Sequence, residues 1–326
     1  VDPSTIGVPV GENDIASAEL VAVRASRHGC TIAALTQDTL FVTWDGGQTF
    51  VKHAMTGMND IAASSGRVAI IRNRRDLGVV RAGETEITWH SVPPFTRRDG
   101  DIDTVVEIAA AGAWTVLVEG RLIAATDDDG RTWRYLTAPV DRASLGDLDL
   151  DGRLTLRVIE PIRTATQEEM IAGENIPRRT RRFQTRIVGG RWHRLATLPG
   201  SVTAATPTWS YLRDIDQSWG CGSSEKVVAV RGGQPFGIAN DLRSQDFHVS
   251  LAANDDVAFL GSGLKLRRIT GKRMEEVADM PVDDPVIVAV DAGGAPLTSG
   301  YSGLLRWSPR GGWRRLLHVP PPPPAP

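Results

Sequence analysis

Thr126-Asp127-Asp128-Asp129-Gly130-Arg131-Thr132-Trp133 is a polar bend that closes on a large aromatic, and Thr43-Trp44-Asp45-Gly46-Gly47-Gln48-Thr49-Phe50 repeats its pattern. Both place a threonine two residues before an aspartate, a glycine two residues after it, and a second threonine before the aromatic. The chemistry of such a stretch is local. The carboxylate can accept hydrogen bonds from backbone N–H groups of the bend, the glycine supplies a positive φ, and the aromatic seals the bend against what precedes it. Each stretch therefore reads as a tight turn between two strands. Looser versions recur along the chain. The large residue after the turn is Phe50, Trp89, Trp133, Trp192, Phe236, Met274 and Trp313, at intervals of 38–59 residues.

Working outward, the flanking segments are short and rich in Val, Ile, Leu and Thr, with Gly, Asp and Asn between them, which is the strand signature. Helical periodicity is almost absent. About 40–45 residues is the span of four short strands with their turns in one propeller blade. The spacing thus predicts an all-β chain, a seven-bladed β-propeller of four-stranded antiparallel blades over residues 19–319. Residues 1–18 read as an N-terminal arm and residues 320–326 as a proline-rich tail in polyproline II form. The small residues of the first strands suit blades crowding toward an axis, and the large residue near each fourth strand suits the layer between neighbouring sheets. The stretch from about Trp209 to Leu242 fits the repeat least well. An insertion over residues 161–182 in the fourth blade carries Arg163, Arg178, Arg179, Arg181 and Arg182 and reads as a long surface loop.

Composition narrows the function classes. The 326 residues are 41% hydrophobic with a net charge of -2, so no global field favours nucleic acid or an anionic membrane. The arginine pairs do not alternate with exposed aromatics, which leaves a nucleic-acid platform without support. Arginine greatly outnumbers lysine, as expected of a GC-rich, bacterial genome. Cys30 and Cys221 are too few for a disulfide framework and read as unpaired core residues. No apolar run is long enough for a transmembrane segment. Val1 is read as the sign of an upstream segment removed or left out, and a cleaved signal peptide would agree with an extracytoplasmic location.

The two strict turns match Ser/Thr-x-Asp-x-Gly-x-Thr-aromatic, the Asp-box. The chain resembles Asp-box (BNR-type) repeat propellers: sialidases, sortilin-type receptor domains, certain xyloglucan hydrolases and photosystem assembly factors. The resemblance implies a propeller fold and is nearly silent on function, because in that family the motif sits away from the binding site. It implies a structural role for Asp45, Gly47, Phe50, Asp128, Gly130 and Trp133.

Ligands of propellers usually bind on the loops joining strand two to strand three and one blade to the next. The register assigns to that end Asp38, Arg72, Arg74, Arg75, Arg97, Arg98, Glu119, Arg121, Glu160, Ser262, Tyr301 and the arginines of the insertion. Such an arginine-heavy rim suits a carboxylate, phosphate, sulfate, glycan acid or acidic protein surface. Glu160, Tyr301 and Asp38 are the residues that a glycoside hydrolase would draw on. The Arg-Ile-Pro signature of sialidases is absent, however, and sialidase propellers have six blades. Asp147-Leu148-Asp149-Leu150-Asp151-Gly152 resembles the opening of a calcium loop, but Val158 stands where a bidentate Glu is needed. The scattered histidines include no metal-spaced pair, so neither metal nor cofactor is expected.

The sequence thus points to a non-catalytic binding or assembly scaffold that presents an arginine-rich mouth and a basic insertion to a protein or anionic partner. The alternatives are a glycoside hydrolase and a structural subunit of a surface or filament assembly. Deleting Thr164–Thr180 is expected to leave folding intact and abolish partner capture.

Overall fold

The structure is a computed structural model. It describes residues 20–55, 57–92, 106–162, 178–199, 201–205, 209–216, 224–231, 234–243, 250–254, 257–262, 265–281, 286–300 and 303–318. The N-terminal arm, the proline-rich tail, Arg97, Arg98, Arg163, Cys221 and Tyr301 lie outside the described residues. Among the described residues every regular element is a strand.

The strands form antiparallel meanders in which each pairs with the next in sequence. β1 (Ala22–Ala25), β2 (Ile32–Leu35), β3 (Thr39–Thr43) and β4 (Val51–Ala54) make the first sheet. β5 (Met58–Ser64), β6 (Arg67–Arg72), β7 (Asp76–Arg81) and β8 (Thr88–Ser91) make the second. β9 (Glu107–Ala111), β10 (Trp114–Glu119), β11 (Leu122–Thr126) and β12 (Arg134–Thr137) make the third. After β13 (Ser144–Leu148), β14 (Arg153–Pro161), β15 (Arg178–Arg186), β16 (His193–Arg194) and β17 (Leu198–Pro199), the four-stranded pattern resumes. β18 (Ser201–Ala205) to β21 (Gln234–Arg243) form one sheet, with β19 at Ser210–Asp216 and β20 at Ser224–Arg231. β22 (Ser250–Asn254), β23 (Val257–Ser262), β24 (Lys265–Thr270) and β25 (Arg273–Asp279) form the next. The last holds β26 (Val286–Val290), β27 (Pro296–Gly300), β28 (Gly303–Ser308) and β29 (Gly312–His318).

This corrects the expectation of seven four-stranded blades. Six blades are four-stranded, and the stretch from Ser144 to Pro199 departs from the pattern as a five-stranded sheet ordered β13-β14-β15-β16, with β17 also paired to β15. The physical reason is a broken outer strand. His193–Arg194 pairs with Phe183–Gln184, and after three intervening residues Leu198–Pro199 pairs with Arg179–Thr180. A second correction follows from the same sheet. Arg178–Arg182, expected in a loop, opens strand β15, where Thr180 and Phe183 are buried. Deleting Thr164–Thr180 would therefore remove paired strand residues and not only a loop.

Contacts group the described residues into two compact units. One contains those up to Val158 together with Arg182–Leu195, and the other those of Ile159–Arg181 and Ala196–His318. Within the first, β1, β5, β9 and β13 lie side by side as successive first strands. β2, β3 and β6 bury almost every residue, the pattern of strands covered on both faces. Buried clusters fill the layers between sheets, and the large residues of the repeat enter them. Trp89 packs on the layer between the first and second sheets, Trp133 on that between the second and third, and Trp192 on that between the third and the five-stranded sheet. In the other unit, Met274 and Trp313 do the same for their own sheet and the one before it. Two of these indoles also tie sheets together by polar contact. Trp192 Nε1–H donates to the Thr137 carbonyl at 2.9 Å, and Trp313 Nε1–H to the Asp279 carbonyl at 2.8 Å. Cys30 is exposed, contrary to its expected place in the core.

Candidate functional site

The two strict turns lie between the third and fourth strands of the first and third sheets. In the first, Asp45 Oδ1 accepts from the Thr43 hydroxyl (2.7 Å) and from the N–H groups of Gln48 (2.9 Å) and Thr49 (3.0 Å). Asp45 Oδ2 takes the Thr49 hydroxyl at 2.7 Å. Asp128 repeats this with the Thr126 hydroxyl (2.8 Å), the Thr132 N–H (2.9 Å) and the Thr132 hydroxyl (2.7 Å). Gly47 and Gly130 take φ of 93° and 94°, and each N–H bonds the threonine hydroxyl that opens its turn, at 2.9 Å. Phe50 is half-buried at the head of β4 and Trp133 at the head of β12. Burial pushes the Asp45 carboxyl up, but the bonds from Thr43, Thr49 and Gln48 outweigh it and hold the pKa at about 2. The Thr132 hydroxyl and N–H, with help from Thr126, likewise hold Asp128 at about 2. Both carboxylates are fully committed to the bend.

In the unit that contains the first three sheets, Asp38, Arg72, Arg74, Arg75 and Arg121 fall in or beside turns between second and third strands. Asp38 Oδ1 accepts the hydroxyls of Thr36 (3.1 Å) and Thr39 (2.9 Å), so it shapes its own hairpin. The Arg72 guanidinium lies over the Trp89 ring at 3.9 Å and pairs with Asp76 at 3.2 Å. Asn73 and Arg74 both adopt left-handed backbone, with φ of 51° and 57°. The matching turn of the third sheet uses Gly120, with φ of 62°, before Arg121. Arg121 Nε lies 3.6 Å from Asp141.

The other arginines do not form an open basic patch. Arg179 Nε and Arg181 Nη2 each lie 2.6 Å from a Glu160 oxygen. Burial raises the Glu160 carboxyl, but the bonds from Arg179 and Arg181 outweigh it and hold it below the ordinary carboxylate range. Burial lowers the Arg182 pKa, and Arg178 is exposed at the start of β15. Glu119 closes β10, and Ser262 closes β23. Asp149 and Asp151 of the Asp147–Gly152 stretch build the β13–β14 turn, while Asp147 lies in β13. Asp149 Oδ1 accepts from the N–H of Asp151 (3.2 Å) and Arg153 (3.3 Å), while Asp151 lies 3.3 Å from both Arg153 and Arg186. Among the described residues no three or more His, Cys, Asp or Glu are gathered to hold a metal ion. Among the same residues no helix is long and apolar enough to cross a membrane.

Two features went unseen in the sequence. One is Arg67, the largest fully buried side chain among the described residues, whose guanidinium bonds Asp129 (2.8 Å), the Trp114 carbonyl (3.3 Å) and the Thr115 hydroxyl (2.5 Å). Arg81 also pairs with Asp129. The other is a cavity of about 250 Å3 at the ends of β1, β5, β9 and β13, lined by Arg24, Arg27, His28, Ile108, Asp147 and Leu150 among others. It opens between first and second strands, and none of the expected rim residues lines it.

No protein-family model matches the chain, and no curated protein matches it either. Solved structures do. The β-propeller domain of the Trilobed protease from Pyrococcus furiosus aligns over 94% of this chain and 99% of its own, at 12% identity and a TM-score of 0.61. The computationally designed Ika8 protein aligns over 91% and 95% respectively, at 11% identity and a TM-score of 0.50. Hydrazine synthase of Kuenenia stuttgartiensis aligns over 81% and 80%, at 10% identity and a TM-score of 0.50. The chain has a β-propeller fold. Likeness at such identities speaks to architecture alone.

Proposed function

We propose that the chain is an Asp-box propeller that works as a non-catalytic binding module for an acidic segment of a partner protein, with the Asn73–Arg75 turn as its principal contact. One observation carries this reading: Arg74 holds a left-handed backbone, with φ of 57°, a conformation that the corresponding third-sheet turn confines to Gly120. A residue with a Cβ is strained there by about 1 kcal/mol, and strain retained at an exposed turn is a mark of function. Asn tolerates left-handed backbone through its short polar side chain, so of the three residues between the paired Arg72 and Asp76, Asn73 obeys the local rule and Arg74 breaks it. Arg72 is fixed by Trp89 and Asp76, which stiffens the base of the turn. Arg75 is exposed beside it. Preordered guanidinium groups recognise carboxylates at low entropic cost.

At the two described hydrolase candidates the bonding favours the binding reading. A glycosidase proton donor needs a raised pKa, whereas Glu160 is held down between two arginines and Asp38 is bonded to two threonines. The test is affinity capture from the native source with the wild-type chain and with Arg74→Gly/Arg75→Ala. The double variant is expected to fold, to lose its specific partner, and to show a flatter salt dependence of capture. Equal capture of the same partner by both proteins would reject the assignment.

A further inference from the structure

We infer that the cavity at the ends of β1, β5, β9 and β13 binds a small zwitterion, a free α-amino acid with an aliphatic side chain. The argument begins with charge. Arg27, in the β1–β2 turn, spans to Asp147 on β13 through one contact, Nη1 to Oδ1 at 2.7 Å. The pair joins the first sheet to the five-stranded sheet across the cavity, and both side chains keep solvent access, at 33% and 41% exposure. A half-exposed pair of this kind contributes little and opens easily. The single contact uses one of the five N–H donors of the guanidinium, so its paired edge suits a carboxylate.

A lone anion would meet Asp147 and Asp149 as well as the arginines, and a lone cation would meet Arg24 and Arg27. A ligand carrying both signs meets neither penalty. Its carboxylate takes Arg27 and its ammonium takes Asp147, so the original ion pair is exchanged for two.

Size and lining supply the rest. A volume of about 250 Å3 lies just below the range of ordinary small-molecule pockets and favours a ligand of few atoms. Ala62, Ala109, Ala110 and Gly146 keep the walls close to the backbone. Ile108 and Leu148 add buried apolar lining, and Leu150, also part of the lining, is 52% exposed, so an aliphatic side chain bound there would cover it.

The experiment titrates the full chain with L-leucine, N-acetyl-leucine and leucine amide by ligand-observed NMR. Leucine is expected to bind, and each blocked form to bind at least about tenfold more weakly for want of one charged contact. Arg27→Gln is expected to bind leucine and leucine amide alike, and Asp147→Asn to bind leucine and N-acetyl-leucine alike. Arg27→Met also removes the charge and serves as the second variant, with the same expected outcome, should Arg27→Gln fail to fold. Absence of leucine binding at millimolar concentration, equal binding of all three compounds, or unchanged discrimination in the variants would each overturn the inference. None of these outcomes bears on capture through the Arg74 turn, which lies at the other ends of the strands.

Discussion

The turns Thr43–Phe50 and Thr126–Trp133 share their carboxylate bonding almost atom for atom, yet they differ at one position with large consequences. The first places Gly46 after its aspartate, at φ 73°, where left-handed backbone is free of steric cost. The second places Asp129 there, at φ 64°. Asp129 reaches out of its own turn to the second sheet, where it takes Arg67 Nε at 2.8 Å and also pairs with Arg81. Arg67 in turn bonds the Trp114 carbonyl and the Thr115 hydroxyl of the third sheet. One turn therefore bonds only within its own sheet, where the Gly46 N–H meets the Cys30 carbonyl at 3.0 Å, and the other fastens two sheets through a buried arginine. The difference teaches that a local motif fixes the bend, while a single variable position within it decides whether the bend also holds its neighbours.

The strongest way to break this contrast is Arg67→Ala. It leaves Asp129 without its buried partner and opens a hole, and is expected to cost about 3–5 kcal/mol in chemical denaturation. The same loss from Arg24→Ala, whose side chain is 44% exposed in its pair with Asp60, would show that burial is not what sets the effect. Next is Asp129→Gly, which makes the second turn like the first. It abandons Arg67 but relieves the backbone, so a net loss of roughly 2–4 kcal/mol is expected, with the double variant Arg67→Met/Asp129→Gly recovering most of it. The reverse exchange, Gly46→Asp, adds left-handed strain without a buried arginine to meet the new carboxylate. It should cost about 1 kcal/mol. Urea unfolding of the wild-type chain and these five variants separates the cases.

Acidity gives the smallest and most symmetrical test. Asp45 and Asp128 both have folded pKa values of about 2, below the ordinary value near 3.8. A depressed carboxylate pKa contributes stability that is fully present above the unfolded value and is lost as pH falls through the folded one. Both turns should therefore lose stability between about pH 4 and pH 2. Asp45→Asn/Asp128→Asn should be less stable at neutral pH and flatter across that window. A double variant with the wild-type slope would show that other groups carry the acid dependence.

Much of the fold was legible because its signals are local. Short β-branched runs, polar bends and recurring aromatics pointed to an all-β propeller, and Trp89, Trp133 and Trp192 enter the layers between sheets as their place near the fourth strands implied. The stretch from Ser144 to Pro199 was misread. Whether Arg178–Arg186 forms a loop or a strand depends on the edges of β14, β16 and β17 available to it, and pairing partners distant in sequence leave no local mark. Register assigned arginines to one end of the blades, but it could not say that Arg179 and Arg181 neutralise Glu160 or that Arg72 is committed to Trp89 and Asp76. Arg67 was missed because a lone arginine before an apolar strand reads as a surface residue.

The sequence alone determined the bends. Carboxylate, hydroxyl and glycine meet within a few residues of one another, and their bonding needs nothing from elsewhere in the chain. Only the tertiary structure decided which charges are spent and which remain available. Asp129 meets Arg67, and Arg27 meets Asp147, across separations of 62 and 120 residues, and such partners are chosen by how sheets pack.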